Sequence, residues 1–332
     1  MKKRIFINIH YLEIGGAERA LLGLLSALDP NKVDVDLFVN QHTGEFMSLI
    51  PKYVNLLPEV SEYTCIERSM KNILKEGYIG IALRRLWAKY EYKQYLKKIS
   101  AKESKHDYSI FQYVADAVEG ALPSLEYLGE YDLAISFLQP HNIVLNKVKA
   151  KRKICWIHTD YSTMHVNHDK ELPIWSGFDH IVSISNDCTR AFLKAFPELQ
   201  DKIILIENIL SPFFIRQQAE LDDVSTEMLN ETGVTKLLSI GRFAPPKNFE
   251  AIPQICAEME RLGVNFKWYI IGYGNDSGIQ TALDKYKMHH RMILLGKKIN
   301  PYPYIKACDI YIQPSIYAVS YTHLRAHETG RN

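Results

Sequence analysis

"SIGRFAPPKNF", residues 239–249, joins an apolar run to a polar turn and then to a helical pattern. The run "KLLSIGR" (236–242) reads as a buried strand. It ends at Gly241, where a missing side chain lets the backbone pass close to a ligand. Arg242 follows at once. Lys247 comes five residues later, just before "NFEAIPQICAEMERLG" (248–263), a helix stopped by Gly263. Arginine offers a fork of donors and lysine a compact point charge. Two cations at a strand's end beside a helix start suit a diphosphate. Arg-x4-Lys alone is ordinary surface charge, and the strand, glycine, loop and helix around it raise its weight.

The same alternation spreads outward. After it come "FKWYIIGYG" (266–274) as a strand, "SGIQTALDKYKM" (277–288) as a helix, and "RMILLG" (291–296) as a strand. "NPYPYIKA" (300–307) reads as a short helix and "CDIYIQPS" (308–315) as a strand. Strand-end glycines recur at Gly272, Gly274 and Gly296, and each read alone is only a turn. Before it, "RIFINI" (4–9), "VDVDLFVN" (33–40), "DLAISF" (132–137), "RKICWIH" (152–158), "HIVSIS" (180–185) and "KIILIENIL" (202–210) read as strands. Helical or loop material separates them. Strands alternating with helices predict an α/β fold with parallel sheets. The low-pattern stretch from about Leu210 to Thr235 reads as a linker. The expected domains are 1–209 and 210–317, two Rossmann-like units with ligand in the cleft between them.

Length and charge narrow the class. At 332 residues the chain exceeds one typical core. A net charge of +2 provides no global basic field, so nucleic acid is not an expected partner. The five cysteines are scattered without metal or redox spacing and read as small core residues of a reducing cytoplasm. No run approaches the ~18–20 apolar residues of a membrane span, and no secretory signal is visible.

Residues 61–115 interrupt the first domain as a helical insertion. They are locally basic, with eleven Lys/Arg against six Asp/Glu over 61–110. Arg84, Arg85, Lys89, Lys93, Lys97 and Lys98 interleave with Leu83, Leu86, Trp87, Tyr90 and Leu96. Two readings stand side by side. One is peripheral contact of 68–102 with the inner face of an anionic membrane. The other is a solvated helical hairpin covering the sheet.

Two further stretches offer polar groups. Gly15 and Gly16 lie between the first strand and the first helix, where backbone amides can approach a phosphate or sugar. The dinucleotide fingerprint G-x-G-x-x-G is absent, which argues against a nicotinamide enzyme. His158 closes a strand in "CWIHTDYSTMH" (155–165), facing the expected ligand edge. His165 and His168 follow without metal-ligand spacing.

In order and together, "GGAERALLGLL", "WIHTDYS", "FDHIVSIS", "SIGRFAPPKNF", "IIGYGND", "LLG" and "NPYPYIKACDIYIQPS" resemble the family 4 glycosyltransferases of the GT-B fold. Enzymes that build bacterial capsule, O-antigen or exopolysaccharide are the most similar. The resemblance implies transfer of a sugar, with retained anomeric configuration, from a nucleotide-sugar (UDP as the family-level expectation) to a glycan or lipid-linked acceptor. It implies that Arg242 and Lys247 hold the donor diphosphate, with Gly241, Gly272 and Gly274 lining the same pocket. Gly15 and Gly16 would approach donor sugar and phosphate, and His158 the reacting sugar. The stretch Gly296 to Ile299 would border the base. No metal or other cofactor is implied, because the two cations take over that role. A non-catalytic nucleotide-sugar-binding module and a GT-B sugar-nucleotide epimerase are the rival readings.

One departure falls at the end. The family pattern places a glutamate directly after a Pro-Ser-x-Tyr turn and a second after seven more residues. Here Pro314, Ser315, Ile316 and Tyr317 are followed by Ala318. Residues 319–329, "VSYTHLRAHET", match residue for residue the translation of a common transposase sequencing adapter. The expectation is that 318–332 form a non-native tail. The second domain would then be truncated and the chain as it stands inactive in transfer.

Overall fold

Apolar runs with no polar face become parallel strands covered on both sides. In "FINI", Phe6, Ile7 and Ile9 lose all solvent exposure. A computed structural model describes residues 2–209 and 212–316, and within them the chain divides into two units, Met1–Ile209 and Leu210–Asn332.

Unit 1 carries β1 (Lys3–Ile9), β2 (Val33–Val39), β3 (Asn55–Leu56), β4 (Leu133–Ser136), β5 (Lys153–Ile157), β6 (His180–Ser183) and β7 (Ile203–Leu205). They form one parallel sheet in the order β3-β2-β1-β4-β5-β6-β7. The strand order reverses between β1 and β4. In open α/β sheets the crevice at such a reversal, outside the carboxyl ends of the strands, is where ligands bind.

Unit 2 carries β8 (Thr235–Phe243), β9 (Phe266–Gly274), β10 (Met292–Gly296) and β11 (Ile310–Tyr311), in the order β10-β9-β8-β11, again parallel. Its reversal lies between β8 and β11. The period of two along each strand feeds two cores. Leu237, Trp268 and Ile270 pack with Phe249, Ile252 and Cys256 on one face. Leu238, Tyr269 and Ile271 pack with Tyr302, Tyr304 and Ile305 on the other.

The expected linker at 210–235 is corrected. Pro212–Ala219 is a helix, and Val224 and Met228 are buried in the second core. Asn300 Nδ2 donates to the Gln218 carbonyl at 2.7 Å, and Lys306 pairs with Glu220 at 2.6 Å. From Pro212 onward the stretch is an integral cover of unit 2. Four cysteines are buried and Cys308 is half-buried, and all five are free thiols.

The insertion between β3 and β4 holds helices Ser61–Thr64, Met70–Lys75, Ile79–Leu96, Ala101–Lys105 and Ile110–Glu119. Helix Ile79–Leu96 turns an unexpected side inward. Ile81, Ala82, Arg85 and Ala88 are buried, while Leu83, Leu86, Trp87 and Tyr90 are exposed. Small alanines allow close packing against its neighbours. Tyr92 and Tyr95 also reach Tyr113 of helix Ile110–Glu119, with ring centroids 5.7 and 5.9 Å apart. Arg85 therefore leaves the basic surface. Its Nη1 donates to the carbonyls of Cys65 (2.8 Å) and Arg68 (2.5 Å).

Candidate functional site

In unit 2 the exit of β8 is built around Gly241. A Cβ there would lie 3.4 Å from Lys247 Cδ and 3.2 Å from the Phe249 ring, so the lysine stem lies over the strand end. A Cβ on Gly272 would overlap the Gly241 carbonyl oxygen, which lets β8 and β9 run side by side into the turn. Gly274 has φ +123°, and a Cβ there would lie 3.1 Å from the Phe243 carbonyl oxygen. The polar 3-10 turn Pro245–Lys247 ends at Asn248 in the left-handed region, φ 57°.

Arg242 is exposed and Lys247 half-buried. Burial holds the Lys247 ammonium below its usual pKa, and Arg242 pushes it the same way. Neither cation has an acidic partner among the described residues. A partly desolvated ammonium without a counter-charge is costly unless an anion completes it.

The β11 side of the reversal is fastened to this loop. The Ser239 hydroxyl donates to the Ile312 carbonyl at 2.6 Å and accepts from Trp268 Nε1 at 2.9 Å. The Ile316 amide donates to the Pro246 carbonyl at 2.9 Å. Residues 317–332, with the expected glutamate position at 318 and the expected tail, lie outside the described residues. Gly296 has φ +73° at the end of β10, and Ile299 is exposed beyond it. Lys298 is bound to Glu227 (2.5 Å), so it is not a free cation.

In unit 1 three histidines gather at the carboxyl ends of the strands. His158 follows β5, its ring centroid 4.6 Å from that of Phe137. Part of the residue reaches the surface, yet Nε2 is buried without a partner. His141, 1% exposed, pairs through Nδ1 with Ser136 Oγ at 2.7 Å and also leaves Nε2 unpartnered. Burial brings both pKa values down to about 3, so both rings are neutral at pH 7. His10 receives the Asn40 amide on Nδ1 at 3.0 Å, which leaves Nε2–H to face the Gln139 carbonyl. Asn40 is held in turn by Asn8 at 2.7 Å. Gln139 precedes a cis proline and donates to Glu171 at 3.1 Å, as do Tyr161 (3.3 Å) and Trp175 (3.2 Å). Burial raises the Glu171 pKa against those three donors.

Gly15 and Gly16 differ. A Cβ on Gly15 would overlap the Glu18 carboxylate, so an acid already covers that side. Gly16 has nothing within 4 Å of the corresponding point, and the helix Gly16–Ala27 starts there. His165 is committed to Asp107 at 2.8 Å and His168 to Glu198 at 3.2 Å. The sequence reading missed His10, Asn40 and His141. The strand-end position of His10 was the available signal, the same one that singled out His158.

No protein-family model matches the sequence, and no curated protein matches it. Solved structures do share its architecture. Alr3699/HepE of Anabaena, in complex with UDP and glucose, has a TM-score of 0.61 at 12% identity, covering 97% of this chain and 77% of that one. The fold is GT-B. A point mutant of TarM of S. aureus, in complex with Fondaparinux, alpha-GlcNAc-glycerol and UDP, aligns at TM-score 0.59 and 11% identity, over 98% and 83% of the two chains. WaaG, a glycosyltransferase involved in lipopolysaccharide biosynthesis, aligns at 0.57 and 9%, over 97% and 78%. In GT-B terms, the two reversals described above belong to two Rossmann-like units.

Proposed function

We propose that this protein is a glycosyltransferase that takes a sugar from a nucleotide-sugar, with UDP as carrier. It passes the sugar to a glycan or lipid-linked acceptor in surface-polysaccharide synthesis, on the cytoplasmic side. The observation that carries the reading is the Arg242–Lys247 pair, two cations without acidic partners among the described residues, at the strand reversal of a GT-B unit. The solved relatives of the fold that hold UDP support the choice of carrier.

In the proposed reaction the C1–O bond to the diphosphate breaks, and its electron pair leaves on UDP. Arg242 and Lys247 stabilise the charge that develops there, which is the part of such a transfer most open to electrostatic help. An acceptor hydroxyl bonds to C1, and its proton passes to the departing phosphate. The configuration at C1 is retained. Unit 1 takes the acceptor side. His158, a neutral ring at the end of β5 that partly reaches the surface, sits near the reacting sugar, and Gly16 leaves room for the approach of a sugar or phosphate.

The test is incubation with UDP-sugars, with and without an acceptor extract, followed by NMR of the anomeric proton. With Ala318 where the family pattern has glutamate, the chain as it stands is expected to bind a UDP-sugar with little or no transfer, and acceptor-dependent product with retained configuration is expected of a version carrying the two-glutamate pattern after Tyr317. From that version, epimerised nucleotide-sugar without acceptor would point to an epimerase, and binding without any product to a non-catalytic module.

A further inference from the structure

Helix Ile79–Leu96 carries its large apolar side chains outward. Ile79, Leu83, Leu86, Trp87 and Tyr90 are 58%, 61%, 52%, 59% and 54% exposed. Their spacing of four, three, one and three places them on one stripe along three turns. Such a run is not the scatter of single apolar residues that any surface shows. The Trp87 and Tyr90 rings lie 5.6 Å apart, forming an aromatic pair open to solvent. The next turns continue the stripe as lysines. Lys93 and Lys97 follow on the same side and Lys89 flanks it. None of the three has an acidic partner among the described residues, and Lys97 reaches only Gln94 at 3.4 Å. Glu91 is the single acid of the helix.

We propose that this stripe docks the protein in the plane of an anionic lipid surface, with the aromatic pair in the interface and the lysines on the headgroups. Three features favour lipid over a protein partner. The cations are lysines, which the cores of protein interfaces avoid. Their long stems extend the apolar surface while the charge reaches headgroups. A tryptophan beside a tyrosine suits the boundary between hydrocarbon and water. Among the described residues no helix is long and apolar enough to cross a membrane, so this helix lies along one. The inference stands whether or not the protein transfers a sugar.

The protein carries its own reporter. Of its four tryptophans, Trp156, Trp175 and Trp268 are at most 5% exposed, and Trp87 is 59% exposed. The full chain is mixed with phosphatidylcholine vesicles, with or without phosphatidylglycerol. Co-sedimentation and acrylamide quenching of tryptophan fluorescence are followed. Binding is expected only with phosphatidylglycerol, weakening with salt, and accompanied by protection of Trp87 from acrylamide. Lys89→Glu with Lys93→Glu and Lys97→Glu is expected to weaken binding by more than about tenfold. Leu83→Ser with Tyr90→Ser is expected to abolish the protection. Both variants change exposed side chains, so their thermal melts should match the parent's. Absence of binding overturns the proposal, as does equal binding to both vesicles or binding indifferent to lysine reversal. Self-association by light scattering that is lost in Leu83→Ser with Tyr90→Ser would mark the stripe as a protein interface instead.

Discussion

The amide of Ile316 donates to the carbonyl of Pro246 at 2.9 Å, tying the chain that leaves β11 to the turn that presents Lys247. Further back along the same two segments, Ser239 holds Ile312 and is itself held by Trp268. The two cations therefore sit on a loop braced from the far side of the strand reversal.

Ser239→Ala tests that brace. It leaves the buried Trp268 indole N–H and the Ile312 carbonyl unpaired, a loss of about 1–3 kcal/mol. Urea denaturation should show a lower midpoint with an unchanged slope. A neutral result would mean the hydroxyl is not a tie.

Two glycine substitutions separate shape from function. Gly272→Ala places a Cβ against the Gly241 carbonyl and 2.5 Å from the Phe243 ring. Neither can move without disturbing β8, so a loss of about 1–3 kcal/mol is expected. Gly16→Ala meets no atom within 4 Å and should leave the melting temperature unchanged or slightly raised. If Gly16 gives room to donor sugar or phosphate, nucleotide-sugar affinity falls in that stable variant. Unchanged affinity would remove Gly16 from the site.

Met228→Ala tests the correction at 210–235. A linker methionine could be lost without effect. This one is 1% exposed, and its truncation should cost about 2–5 kcal/mol. Calorimetry of the melt reads the difference.

The neutral histidines set a pH dependence. Their folded pKa of about 3 lies below the unfolded value of about 6.5. Between those values the unfolded chain binds more protons. The associated stability is full above about pH 6.5 and declines as pH falls toward 3. Each histidine accounts for a loss on the order of 2 kcal/mol at pH 5. Replacing His141 with Asn should shrink the drop in urea midpoint between pH 7 and pH 5. An identical drop would show that His141 does not titrate in this way.

The strands are legible because a parallel strand buried on both faces must be largely apolar, as "ICWI" (154–157) and "WYII" (268–271) are. Arg242 and Lys247 stand out as candidates because a strand-end glycine and a helix start flank them in the sequence. Other features depend on distant packing. Nothing local in Pro212–Met228 announces its cover role, since Val224 and Met228 find their core only against Tyr302 and Tyr304. The inward face of helix Ile79–Leu96 is hidden for a related reason. Its buried side is made largely of alanines and an arginine, while its larger apolar residues lie outside. His141 follows a Gln-Pro turn whose Gln139 side chain bonds to Glu171, thirty-two residues away in sequence.

The most direct measurement is calorimetric titration of UDP and of uridine into the protein, Arg242→Ala and Lys247→Ala. Arg242 is exposed and Lys247 half-buried, so both variants are expected to fold. If the two cations hold a diphosphate, UDP binds the parent at least about tenfold more tightly than uridine, and either substitution closes most of that gap. Equal affinity for UDP and uridine, or a UDP affinity untouched by both substitutions, would contradict it.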